Sequence, residues 1–146
     1  MQGDVNGSRR AVLAALAWIA VAPVDVLAQD PRAAQVQGAA REWLKIADTL
    51  DAEATWKASG ARFQQAVAPE RWAVLLREER GPRGALVQRA VIATRFASSL
   101  PGLPDGGTYA LVRFRSVFEN QSETGEDLTL EVGSDYAWHV IGYAIL

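Results

Sequence analysis

The chain contains no cysteine and a single histidine, His139. The first absence excludes disulfides, thiolate metal ligands, cysteine nucleophiles and cysteine lipidation. The second excludes any site built on two imidazoles. An excess of either charge is also lacking: 15 Lys+Arg against 17 Asp+Glu leave a net charge of -2. So even a balance gives no general attraction for nucleic acid, and none is expected as a partner. Internal repeats, low-complexity tracts and linkers are missing too. No catalytic constellation, metal site or cofactor motif survives these exclusions, so catalytic residues, metal and cofactor are all expected to be none. What is present is a chain of 146 residues, 49% hydrophobic and 22% charged, the composition of one globular domain.

Residues 1–28 read as a signal peptide. Arg9 and Arg10 form its basic start, and Ala11 to Ala22 is an uncharged apolar run. That run is shorter than the ~20 residues a bilayer span requires. Pro23 breaks a helix there. Val26-Leu27-Ala28 places moderate and small residues at the positions a signal peptidase reads, which predicts cleavage after Ala28. The alternative is an N-terminal anchor that is never cut. Ser8-Arg9-Arg10 with Leu13 also partly matches a twin-arginine signal. Cleavage removes Asp4, Asp25, Arg9 and Arg10, so the net charge is unchanged. The product, residues 29–146, is expected to be periplasmic or secreted and to have no membrane span.

Along that product, Pro31 to Leu50 has helical periodicity, with Val36, Ala40, Trp43, Leu44, Ala47 and Leu50 on one side and Arg41, Lys45 and Asp48 on the other. Asp51 can cap a short helix that ends at Ser59-Gly60. Residues 61–68 fit a short strand or an irregular wrap. Pro69 opens another helix, where its missing N–H is harmless. Trp72, Leu75 and Leu76 face inward, Arg71, Arg77 and Glu78 outward, and Gly81-Pro82 stops it. The arginines from Arg77 to Arg89 read as a solvated helix end. From Ala85 the period becomes alternating. Four runs follow: Leu86 to Ser98, Thr108 to Phe118, Asp127 to Val132 and Tyr136 to Ile145, with Leu100 to Gly107 as a loop and Asn120 to Gly125 as a polar turn. Short connections imply antiparallel pairing. The last run is apolar on both faces, which predicts an interior strand paired on its far side by residues 62–67. The fold class expected is α+β: N-terminal helices packed on a twisted antiparallel sheet of four or five strands, a cone-shaped roll.

The ordered set Trp43-Leu44, Asp48, Trp56, Phe63, Trp72, Gly81-Pro82 with Gly84, Arg89, Leu100-Pro101-Gly102, Pro104-Asp105-Gly106, Tyr109, Trp138 and Gly142-Tyr143 resembles the domain of unknown function 4019 family, small exported bacterial proteins. The resemblance covers nearly all of residues 29–146. It implies kinship with nuclear transport factor 2-type rolls. It carries no activity, so no functional residue transfers with it. Arg83 departs from the apolar residue expected between Pro82 and Gly84, which puts the packing of that turn in question.

Four residues are candidates for binding: Arg113, Arg115, His139 and Tyr143. Arg113 and Arg115 alternate onto one sheet face, where paired guanidinium groups could grip an anion. Cross-strand pairing with Glu131 explains them equally. His139 has no orienting carboxylate evident in the sequence, and a structural role is the competing reading. Asp135 and Tyr136 match in type the acid and tyrosine of ketosteroid-isomerase-like rolls, but an aspartate after Gly133-Ser134 is also an ordinary turn residue. The tryptophans could line a pocket or fill the core, with Trp56 the least tied to the core. Pro104-Asp105-Gly106-Gly107 lacks the lysine and following helix of a phosphate loop. The concave side of such a roll makes a natural pocket, so by analogy of fold the function expected is a non-enzymatic module that binds a small molecule or an envelope protein. The alternatives are a cofactor-independent isomerase or lyase, and a structural or assembly protein.

Overall fold

In the computed structural model, which describes residues 30–146, a helical half precedes a sheet half. The proposed signal peptide lies outside the described residues. The helices are α1 (Arg32–Asp48), α2 (Ala52–Ala58), α3 (Ala61–Ala66) and α4 (Pro69–Glu79), followed by a 3-10 turn at Gly81–Arg83. The strands β1 (Leu86–Ala97), β2 (Tyr109–Phe118), β3 (Gln121–Val132) and β4 (Trp138–Ile145) form an antiparallel meander in the order β1-β2-β3-β4. No helix among the described residues is long and apolar enough to cross a membrane.

The helical periodicity of α1 buries Val36, Ala40, Trp43, Leu44 and Ala47. Leu50 does not continue that face. The helix ends at Asp48, and Leu50 has a left-handed backbone and is exposed. Asp51 caps α2 by accepting from the Ala54 amide at 2.9 Å. Residues 61–66 are helix α3, not a strand, and bury Phe63. Helix α4 starts at Pro69 and buries Trp72 and Leu76, while Arg71, Arg77 and Glu78 stay exposed. The arginines beyond it are not solvated: Arg80 and Arg83 are both buried. Arg83 donates to the Glu79 carbonyl at 2.8 Å and so completes the end of α4, which is why a charged side chain fits that turn.

All four helices contribute to one core, on the sheet face carrying Ala110, Val112, Phe114 and Phe118 from β2, Leu128 and Leu130 from β3, and Val140, Tyr143 and Ile145 from β4. Trp43, Phe63, Trp72 and Tyr143 pack ring against ring, with centroids 5.0–6.3 Å apart. The indole N–H groups of Trp43 and Trp72 are satisfied by Ser59 and Thr55.

Irregularities in two strands decide which side chains face this core. Strand β1 has an extra residue at Val87 and at Ile92, and β4 has one at Ile141. The last of these accounts for the two apolar faces of β4. A bulge shifts the pleat by one residue, so Val140 and Tyr143 both face the core despite their odd spacing. In the strand order β4 is the outer strand of the sheet, not an interior one. Its far side receives the Gly60 amide on the Val140 carbonyl at 2.8 Å. A Cβ at residue 60 would lie 2.9 Å from Ile141 Cγ2, so only glycine permits that approach. Strand β3 starts at Gln121, inside the segment 120–125 read as a turn.

Candidate functional site

The longer β3 brings a carboxylate into the core. Glu126 lies in phase with Leu128 and Leu130 and is 0% exposed. Its Oε1 accepts from Ser116 Oγ at 2.6 Å and from Arg89 Nε at 2.9 Å, and its Oε2 accepts from the Tyr143 hydroxyl at 2.5 Å. Arg89 also donates to both oxygens of Asp48, at 2.8 and 2.9 Å. Asp48 in turn accepts from Arg80 at 3.2 and 3.3 Å. Arg80 lies 4.2 Å above the Phe118 ring and donates to the Gly84 carbonyl. Two acids and two guanidinium groups thus cancel in charge while tying α1, α4, β1, β2, β3 and β4 together.

The electrostatics follow from this arrangement. Burial, reinforced by the neighbouring Glu126 carboxylate, holds the Tyr143 phenol well above its ordinary pKa. It stays protonated and keeps donating. Burial works against the Arg89 charge, but Asp48 and Glu126 outweigh it and hold the guanidinium pKa above its usual value. The helical period of α1 places Asp48 on its wet side, and Glu126 lies between the polar segment 120–125 and the third run. The signal available for Glu126 was its parity with Leu128 and Leu130.

The four candidate binding residues do not converge. Tyr143 faces the core and is 2% exposed. Arg113, Arg115 and His139 belong to the opposite sheet face, as their register positions require. Arg113 forms a two-pronged pair with its cross-strand neighbour Asp127, both contacts 2.6 Å, and this pairing raises its pKa. Arg115 is exposed. Glu131 pairs with Arg62 of α3 at 2.9 Å. His139 does have a carboxylate, supplied by the turn four residues earlier: its Nε2 lies 2.7 Å from Asp135 Oδ2. The Ala137 amide and His139 hold the Asp135 carboxyl below its ordinary pKa. Asp135 is a turn residue at the surface, and Tyr136 is 92% exposed, so the pair does not line an interior pocket. Trp56, partly buried, packs on the core and donates to the Val67 carbonyl.

A concave site is found at the end of the roll where α1 begins. An open cleft of about 310 Å³ is lined by Arg32, Phe96, Ala97, Ser98, Gly107 and Thr108. The Arg32 guanidinium lies 4.1 Å over the Phe96 ring, whose neighbour is Trp138 at 5.9 Å. The loop after β1 forms the opposite wall. Tyr109 anchors it by donating to the Pro104 carbonyl at 2.8 Å, and a Cβ at Gly107 would overlap the Tyr109 ring.

No curated protein and no solved structure matches the chain. A family model described as "Protein of unknown function (DUF4019)" matches residues 39–143. That span holds the tryptophans of the core, the Asp48–Arg89–Glu126–Tyr143 network and the loop wall of the cleft, and the chain belongs to this domain of unknown function 4019 family.

Proposed function

We propose that residues 29–146 act outside the cytoplasm as a non-enzymatic binding module, which takes a small molecule or an envelope protein at the cleft beside Arg32. The observation that carries this reading is the state of the interior acid and tyrosine. Glu126 and Tyr143 are each other's hydrogen-bond partners, both are sealed from solvent, and aromatic rings fill the space beside them. An isomerase or lyase of the roll type needs such groups to face a substrate cavity with a reactive proton available. Here they serve cohesion, and recognition falls to the surface concavity. Its volume lies at the small end of the range typical for ligand sites.

Two measurements test the reading. The exported protein should have an intact mass corresponding to residues 29–146; retention of residues 1–28 contradicts the export step. A fragment screen by amide NMR on that protein should move resonances of residues 96–98 and 107–108. Responses confined to residues around Glu126 and Tyr143 would favour the enzymatic alternative.

A further inference from the structure

We propose that the cleft recognises a carboxylate, held by the unused edge of the Arg32 guanidinium; this rests on the cleft being the binding site. The donor inventory points to that chemistry. Asp30 occupies Arg32 Nε, at 3.0 and 3.2 Å, and Nη2, at 2.7 Å. A guanidinium has five N–H groups, and Nη1 has no partner among the described residues. The hydroxyls of Ser98 and Thr108, exposed on the facing walls, likewise have none. Among the described residues, none that lines the cleft itself is acidic. The lining therefore offers one cation and two hydroxyls that can donate, with no carboxylate to oppose them, which suits an anion and disfavours a cation.

The existing pair with Asp30 leaves room for a second carboxylate. Both side chains are substantially exposed, at 46% and 34%, so the pair is weak. Arg89 in this same molecule serves two acids at once, Asp48 and Glu126. The Arg32 guanidinium rests over the Phe96 ring, which limits where it can move. Phe96 and Ala97 supply an apolar wall for the stem that carries the carboxylate. The volume suits an acid of about the size of benzoate. That chemistry occurs in free small acids and at the C-terminus of a peptide chain.

The experiment titrates the ¹⁵N-labelled exported protein with four probes: benzoate, benzamide, an acetylated Gly-Gly-Phe tripeptide acid and its C-terminal amide. The acids should shift residues 96–98, 107 and 108 saturably, and their neutral amides should bind at least about tenfold more weakly. Arg32→Gln should lose about tenfold in acid affinity, and Arg77→Gln, a distant exposed arginine, should lose nothing. Asp30→Asn releases Nε and should tighten acid binding. Preference for benzoate assigns the site to free acids, and preference for the tripeptide acid assigns it to chain ends; either supports the proposal. Equal binding of acids and amides overturns the carboxylate specificity and leaves the cleft reading standing. If no probe moves these residues, both readings fall.

Discussion

Replacing Arg89 by methionine removes the guanidinium bonded to Glu126 and keeps an apolar stem of similar length. The cost follows from what remains. Glu126 keeps the Ser116 and Tyr143 hydroxyls, so its oxygens stay hydrogen-bonded. Its charge, at zero exposure, loses the cation 2.7 Å away. Asp48 keeps Arg80 and some contact with solvent. Removing one partner of a buried pair costs ~3–5 kcal/mol, and the two surviving donors place this case near ~3 kcal/mol. With a urea m-value of about 2 kcal/mol/M, the midpoint should fall by about 1.5 M. Tryptophan fluorescence reports it, because Trp43 and Trp72 sit in the core beside the network. Glu126→Gln alone and the Arg89→Met, Glu126→Gln pair complete a cycle, with an expected coupling of ~1–3 kcal/mol. Arg113→Met, which breaks the partly exposed pair with Asp127, should cost less than the Arg89 change, about 1 kcal/mol. A loss at Arg89 no larger than at Arg113, or strict additivity in the cycle, would refute the idea that this network is a buried ionic tie.

Trp72→Ala should destabilise by ~3–5 kcal/mol, since its ring is fully buried and its N–H bond to Thr55 is lost, while Arg77→Ala should cost under ~0.5 kcal/mol; equal urea midpoints would contradict this. Tyr143→Phe takes a donor from buried Glu126 and should cost ~1–3 kcal/mol at neutral pH. Because the folded phenol ionises above its unfolded value near ~10, the unfolded state holds fewer protons above that pH, and wild-type stability should fall as pH rises there. The phenylalanine variant should lack that part of the decline; identical slopes at pH 9 to 11 would count against it. Gly60→Ala should cost ~1–3 kcal/mol through the clash with Ile141, and hydrogen exchange should show the residue 60 amide losing protection.

Helices α1 and α4 were legible because their periodic faces are simple, and the starts of α2 and α4 because Asp51 and Pro69 have one good structural use each. The meander was legible from its short connections. Strand β4 was misread because the period-two rule assumes an unbroken pleat, and one extra residue at Ile141 inverts the faces beyond it. The start of β3 was missed because its inward positions, Thr124 and Glu126, are polar. Charged residues are solvated by default. Only the three-dimensional meeting of Asp48, Arg80, Arg89 and Glu126, spread over 79 positions of sequence, makes their burial affordable. Asp48, Arg89 and Tyr143 were nonetheless among the residues on which the family resemblance rests. The cleft had no sequence signal, since it joins the first turn of α1 to a loop more than sixty residues away.

The outer edge of β1 has a bearing on how copies of this protein coexist at high concentration. The strand is twelve residues long and contains no proline, lysine or acid, so among the described residues only its two arginines and its bulges stand against a neighbour adding itself as another strand. Its protection lies in its irregularity. The surplus residues Val87 and Ile92, 65% and 53% exposed, break the even spacing of donors and acceptors that a second chain would need to match. Deleting Ile92 restores that spacing over the middle of the strand. The resulting molecule should polymerise edge to edge while each subunit remains folded, a failure of solubility without a failure of stability.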